Sequence, residues 1–150
     1  MTGSLLNLRF STAPIAEDIL NAPHKSKSGL VRIWRAAFYS MAGLSAAVKY
    51  EHAFRQELFL VILLLPLAIF LPLSLVEKSL LVASLLLVLI VELLNSAIEA
   101  VVDRVSLDQH DLSKRAKDLG SAAVLLSCAI VVVVWGCVAG PVIFKLLSSR

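Results

Sequence analysis

Apolar and polar positions alternate along this chain in blocks, and the blocks lay out its elements. From Leu30 to about Tyr50 apolar side chains recur every three or four residues: Leu30, Ile33, Trp34, Ala37, Phe38, Met41, Leu44 and Val48. That spacing predicts one helix with a single apolar face. Arg32, Arg35 and Lys49 accompany the face, a composition suited to a helix lying in a membrane interface. Eighteen uncharged residues follow, Leu58–Leu75, enough to cross a bilayer. Pro66 and Pro72 each remove a backbone donor, so a kink or local repair is expected near them. Glu77 and Lys78 mark a short polar hairpin. A second span is expected over Leu80–Val102 and a third over Ser121–Leu146, uncharged until Lys145. Between these two lies a polar segment, Asp103–Gly120, with four basic and four acidic residues.

Residues 1–28 read differently. Pro14, Pro23 and the polar stretch from His24 to Gly29 suggest a flexible tail. No apolar core of the length a cleaved signal peptide needs occurs there. The expected organisation is a tail over 1–28 and one membrane domain over 29–150.

Composition supports a bilayer as the solvent. The chain is 59% hydrophobic and only 17% charged, against about 25% charged in soluble domains. Cys128 and Cys137 lie nine apart in an apolar run with no histidine nearby, which predicts packing residues rather than a metal site or disulfide. The net charge of +3 matters less than its distribution. Arg32, Arg35, Lys49 and Arg55 precede the first span, and Arg104, Lys114, Arg115 and Lys117 follow the second. The first hairpin carries only Lys78. This asymmetry predicts a cytoplasmic N-terminus and Asp103–Gly120 segment, with the C-terminus outside.

The candidate chemistry sits in the second span. Glu92, Asn95, Glu99 and Asp103 follow one another at steps of three, four and four, which aligns them on one helix face. An acid near a bilayer centre costs about 2.5–3.5 kcal/mol on insertion scales, so such residues mark function by default. With the span ending near Val102, Glu99 is expected about 5 Å and Glu92 about 15 Å below that end. Three helices are not expected to shield the stripe on both sides, which predicts a homo-oligomer with its site at a subunit boundary. Serine-triad, zinc and glycine-rich phosphate-loop signatures are absent. His24, His52 and His110 are isolated, although His110 lies beside the stripe. Carboxylates suited to Mg²⁺, with Lys114, Arg115 and Lys117 for phosphates, fit phosphoryl transfer. The same spacing also describes a small proton-coupled transporter with Glu92 as its titrating group.

Longer motifs separate these readings. The run Glu92-Leu-Leu-Asn95-Ser-Ala-Ile-Glu99-Ala-Val-Val-Asp103-Arg104, then Ser113-Lys-Arg-Ala-Lys117-Asp118-Leu-Gly120-Ser121-Ala-Ala, resembles the signature of the small bacterial integral-membrane diacylglycerol kinases. Arg32-Ile-Trp-Arg-Ala-Ala-Phe-Tyr39-Ser-Met-Ala-Gly43-Leu and Glu51-His-Ala-Phe-Arg55-Gln56-Glu57 resemble it too. The likeness covers about Arg32 to Trp135.

The resemblance implies an all-α membrane protein of the bacterial inner membrane, a homotrimer of subunits with three transmembrane helices and an N-terminal interfacial amphipathic helix. It implies transfer of the ATP γ-phosphate to diacylglycerol with Mg²⁺, giving phosphatidic acid. A relative of the same fold uses undecaprenol. By that likeness Glu92 is the base at the lipid hydroxyl and Asn95 positions it, while Glu51 and Glu99 hold the metal and present the nucleotide. Arg32, Tyr39, Asp108, Gln109, His110, Lys117 and Asp118 match nucleotide-contacting positions. Arg32, Ala53, Phe54, Arg55, Gln56, Glu57, Glu92, Ser121 and Trp135 match positions around the lipid. Asp108-Gln109-His110 is a variable part of the family, so contact there is expected through backbone.

Overall fold

A computed structural model describes residues 29–105 and 110–148. The expected tail over 1–28 lies outside the described residues, as do Asp108 and Gln109. Four helices make up the described chain: α1 Gly29–Tyr50, α2 His52–Phe70, α3 Leu75–Val105 and α4 Asp111–Ser148. The chain divides after Tyr39 into two compact units, with α1 continuous across the division. In the first unit, Trp34 and Phe38 stand one turn apart on α1 with ring centroids 6.0 Å apart, edge to face.

The second unit, from Ser40, holds the three helices long and apolar enough to cross a membrane. This is an all-α integral membrane protein. At 19 residues α2 spans about 28 Å, roughly one hydrocarbon thickness. With 31 and 38 residues, α3 and α4 are longer than the bilayer needs, so their ends project beyond it.

Where the helices start and stop follows from local chemistry. Glu51 is extended (φ −95°, ψ 115°) and separates α1 from α2. The freed carbonyls of Val48 and Lys49 each accept a hydrogen bond from Arg55 Nη1 at 3.3 Å, and the Lys49 ammonium sits 5.0 Å over the Tyr50 ring. The first span stops at Phe70, before the expected Leu75, because Pro72 cannot continue a helix and Leu71 before it is extended. Pro66, in contrast, is accommodated inside α2.

Glu77 and Lys78 lie in the opening turns of α3 rather than in a hairpin. The reason is a capping box: the Ser74 N–H and hydroxyl donate to Glu77 Oε2 at 2.7 and 2.6 Å, and the Glu77 N–H donates back to Ser74 Oγ at 3.3 Å. Lys78 Nζ donates to the Ile69 carbonyl at 2.6 Å, closing the end of α2. The polar segment expected before Ser121 is also largely helical. His110 Nδ1 accepts the Leu112 N–H at 3.2 Å, and Asp111 complements the helix dipole in the first turn.

Small residues bring α3 and α4 together, as expected where lipid removes the hydrophobic drive for helix association. Leu81, Ala139, Ala68 and Leu71 form a buried cluster near the α2–α3 turn, with Val138 and Trp135 packed against it. Ser84 and Ser127 are buried, and their hydroxyls donate within their own helices to Leu81 and Val124 carbonyls at 2.8 and 2.7 Å.

Candidate active site

Opposite that turn, α3 carries its polar stripe into the contact with α4. Glu92 is 4% exposed and Asn95 9%, while Glu99 is half-buried. One chain therefore already covers Glu92 and Asn95, the first two members of a stripe that three helices were not expected to shield on both sides. The helices on either side of α3 supply the cover.

Asn95 links the stripe to its neighbours. Its Nδ2 donates to Glu99 Oε1 at 3.1 Å. Its Oδ1 is buried, has no hydrogen-bond partner among the described residues, and rests against Gly120 of α4. A Cβ at Gly120 would collide with that oxygen.

Three further carboxylates act electrostatically on Glu92: Glu99 from its own helix, Glu51 from the α1–α2 junction and Glu57 from the second turn of α2. Glu51 sits at the N-cap of α2 but makes no side-chain cap bond, so its carboxylate is left for another use. Glu57 Oε2 is buried with no hydrogen-bond partner among the described residues. The shortest span, α2, begins at His52, and Glu57 lies only about 8 Å along it. Glu92 thus lies toward the end of the helices at which α2 begins.

Lys117 stands nearby on α4. Its ammonium pairs with Asp103 at 2.6 Å and feels the charge of Glu99. A groove of about 580 Å³ runs beside the carboxylates, lined by Gly43, Ala47 and Glu51 on one side and by Leu93, Ser96 and Ala97 of α3 on the other.

The remaining expected positions are distributed as follows. Arg55, Ala53 and Gln56 are exposed near the start of α2, with Arg55 engaged on α1 carbonyls. Phe54, at 2% exposure, is a core side chain. Asp118 and Ser121 are exposed on α4, and His110 caps that helix. Arg32 and Tyr39 are exposed side chains of the first unit. Trp135 is not brought to Glu92: it packs by Leu81, eleven residues and about 16 Å back along α3, and its Nε1 is buried without an acceptor among the described residues.

Two contributors escaped the sequence reading as site residues. Gly120 carries a signal, a glycine inside a helix where it costs about 1 kcal/mol relative to alanine. Cys128, acted on by the charges of Glu57 and Glu92, carries none.

Whether this set suits a divalent cation can be tested on its donors. No three His, Cys, Asp or Glu side chains among the described residues form a metal cluster. Mg²⁺ usually takes one or two carboxylates, with phosphate oxygens and water completing its shell. A pair such as Glu51 and Glu99 fits that pattern when phosphates supply the other ligands.

Comparison with known proteins gives the same direction. The family model described as prokaryotic diacylglycerol kinase matches residues 38–139. A diacylglycerol kinase of Pseudomonas aeruginosa is 53% identical over 114 residues, covering 76% of this chain and 93% of its own. Those of Haemophilus influenzae and Escherichia coli are 49% and 51% identical over 109 and 108 residues, covering 73% and 72% of this chain and 92% and 88% of theirs.

Proposed function

The chain belongs to the prokaryotic diacylglycerol kinase family, and we propose that it phosphorylates diacylglycerol with ATP, releasing phosphatidic acid and ADP at the cytoplasmic face of the inner membrane. The observation that carries this reading is the gathering of Glu51, Glu57 and Glu99 around a buried Glu92 at the end of α2 that begins at His52, which this reading sets at the membrane surface. A diacylglycerol hydroxyl lies at that level, and a soluble nucleotide reaches it from the aqueous side.

Glu92 accepts the proton of the lipid hydroxyl as that oxygen attacks the γ-phosphorus. The bond to the β–γ bridging oxygen breaks, and ADP leaves with the negative charge. Asn95 holds Glu99 by its amide and keeps the stripe in register with the base. Glu51 and Glu99 would hold Mg²⁺, which would supply positive charge against the phosphates. Lys117 exchanges its Asp103 partner for a phosphate oxygen. Arg32, Tyr39, Asp108, Gln109, His110 and Asp118 complete the nucleotide side, while Ala53, Arg55, Gln56, Glu57 and Ser121 belong to the lipid side. The groove beside Glu51 offers room for substrate next to the acids. General base catalysis contributes about 10²–10⁴-fold, and positioning and electrostatics supply the rest.

In this reading the domain over 29–150 lies with its N-terminus in the cytoplasm and its C-terminus outside, α1 rests in the interface, and three copies assemble. The half-buried Glu51 and Glu99 are the acids such an assembly would further enclose. The test is purified protein in mixed micelles with labelled ATP, Mg²⁺ and either diacylglycerol or undecaprenol. Labelled phosphatidic acid is expected. Transfer only to undecaprenol would replace the acceptor, and transfer to neither would overturn the kinase reading. Native-membrane particles containing only single chains would overturn the trimer.

A further inference from the structure

Gly120 occupies the tenth position of α4, inside a helix where alanine would be the better residue. Space explains its presence. A Cβ there would run into Asn95 Oδ1, whereas at Gly136 of the same helix it would meet nothing within 4 Å. The glycine is needed where α4 meets the stripe and nowhere along its exposed face.

The contact also determines which way the Asn95 amide points. Glu99 presents a carboxylate oxygen, which accepts only, so Asn95 must turn its Nδ2 toward Glu99. Its Oδ1 is then driven against the Gly120 backbone, where it finds no hydrogen-bond donor. Such an oxygen is tolerated only because no side chain fills the site. A methyl group at 120 would push the amide away from α4 and break the geometry that holds Glu99.

We infer that Gly120 is a positioning residue for the reaction: by lacking a side chain it seats the Asn95 amide between α4 and Glu99, and so sets where the Glu99 carboxylate stands relative to Glu92. The inference rests on the kinase reading for its catalytic consequence, but the packing it describes can be measured without turnover.

The experiment is a double-mutant cycle, Gly120→Ala and Asn95→Ala singly and together, in the full chain reconstituted with diacylglycerol and MgATP. Contacting residues that act as one unit couple strongly, so Gly120→Ala alone should lower kcat about 10- to 100-fold. In the Asn95→Ala background, where the methyl has room, the same change should cost no more than about twofold. Equal losses in both backgrounds would overturn the inference, as would a Gly120→Ala enzyme with unchanged kcat. If Gly120→Ala alone failed to fold while the double variant folded, the clash with Asn95 would stand; failure of both would sink it. Gly136→Ala serves as the control for a methyl added elsewhere on α4.

A second readout is independent of activity. The chain has three asparagines, Asn7, Asn21 and Asn95, so asparagine-selective ¹⁵N labelling isolates few side-chain amides. The Asn95 amide should exchange slowly in the wild type and shift and exchange faster in Gly120→Ala. An unmoved resonance would refute the packing claim even in a fully active kinase. A shifted one would sustain it even if neither lipid proved to be the acceptor.

Discussion

Near the α2–α3 turn, Leu81 packs with Ala139 and Trp135, and the polar groups around the turn are bonded to one another: Ser74 with Glu77, and Lys78 with the Ile69 carbonyl. Near the other end of the same helix pair, Asn95 lies on Gly120 with one oxygen unpaired, Glu57 buries an unpaired oxygen, and carboxylates crowd Glu92. One end holds the helices together, and the other carries the acids on which the proposed reaction rests. Crowded like charges and unsatisfied acceptors cost stability in a low-dielectric setting, and an incoming cation or hydroxyl can relieve that cost only where they are left open. The contrast teaches that crowded acids identify the working end better than burial or an unpaired polar atom does, since both ends are buried and Trp135 Nε1 lacks an acceptor among the described residues at the holding end.

The largest effect should come from the reactive end. Glu92→Gln keeps the shape but removes the proposed base, so turnover should fall about 10²–10⁴-fold while nucleotide binding persists. Its melting temperature in detergent should not drop, because a crowded charge is lost; a variant with near wild-type turnover would break the assignment. At the holding end, Leu81→Ala removes a fully buried side chain and should destabilise by about 2–5 kcal/mol, read by denaturant unfolding in micelles. The folded fraction should keep its specific activity, and a selective loss of kcat would blur the division between the two ends. Glu99→Gln comes next: affinity for MgATP should weaken at least about tenfold in a titration, with little change in melting. Smallest is Ser74→Ala, which removes one half of the capping box and should cost about 1 kcal/mol without touching kinetics.

Much of this was legible before any coordinates. The apolar runs predicted three spanning helices because a bilayer demands about 20 apolar residues per crossing, whatever the neighbours do. The three- and four-residue steps of Glu92, Asn95 and Glu99 placed them on one face because helical pitch is a local property. Boundaries were less legible. The charged residues of 111–118 were expected between helices, yet α4 begins at Asp111, since a helix leaving the membrane tolerates charge as well as a loop does. Glu77 was expected in a hairpin because its charge was weighed without its partner Ser74.

By itself the sequence determined the solvent, the number of crossings, the polar face and the family likeness, because these depend on composition and on order along the chain. Only the tertiary structure decided that Glu51 and Glu57 lie within reach of the Glu92 charge, that Asn95 points one amide group at Glu99 and presses the other on Gly120, and that Trp135 belongs to the opposite end. Those are contacts between residues far apart in the chain. They depend on how closely helix axes approach and at what register, which no local pattern records.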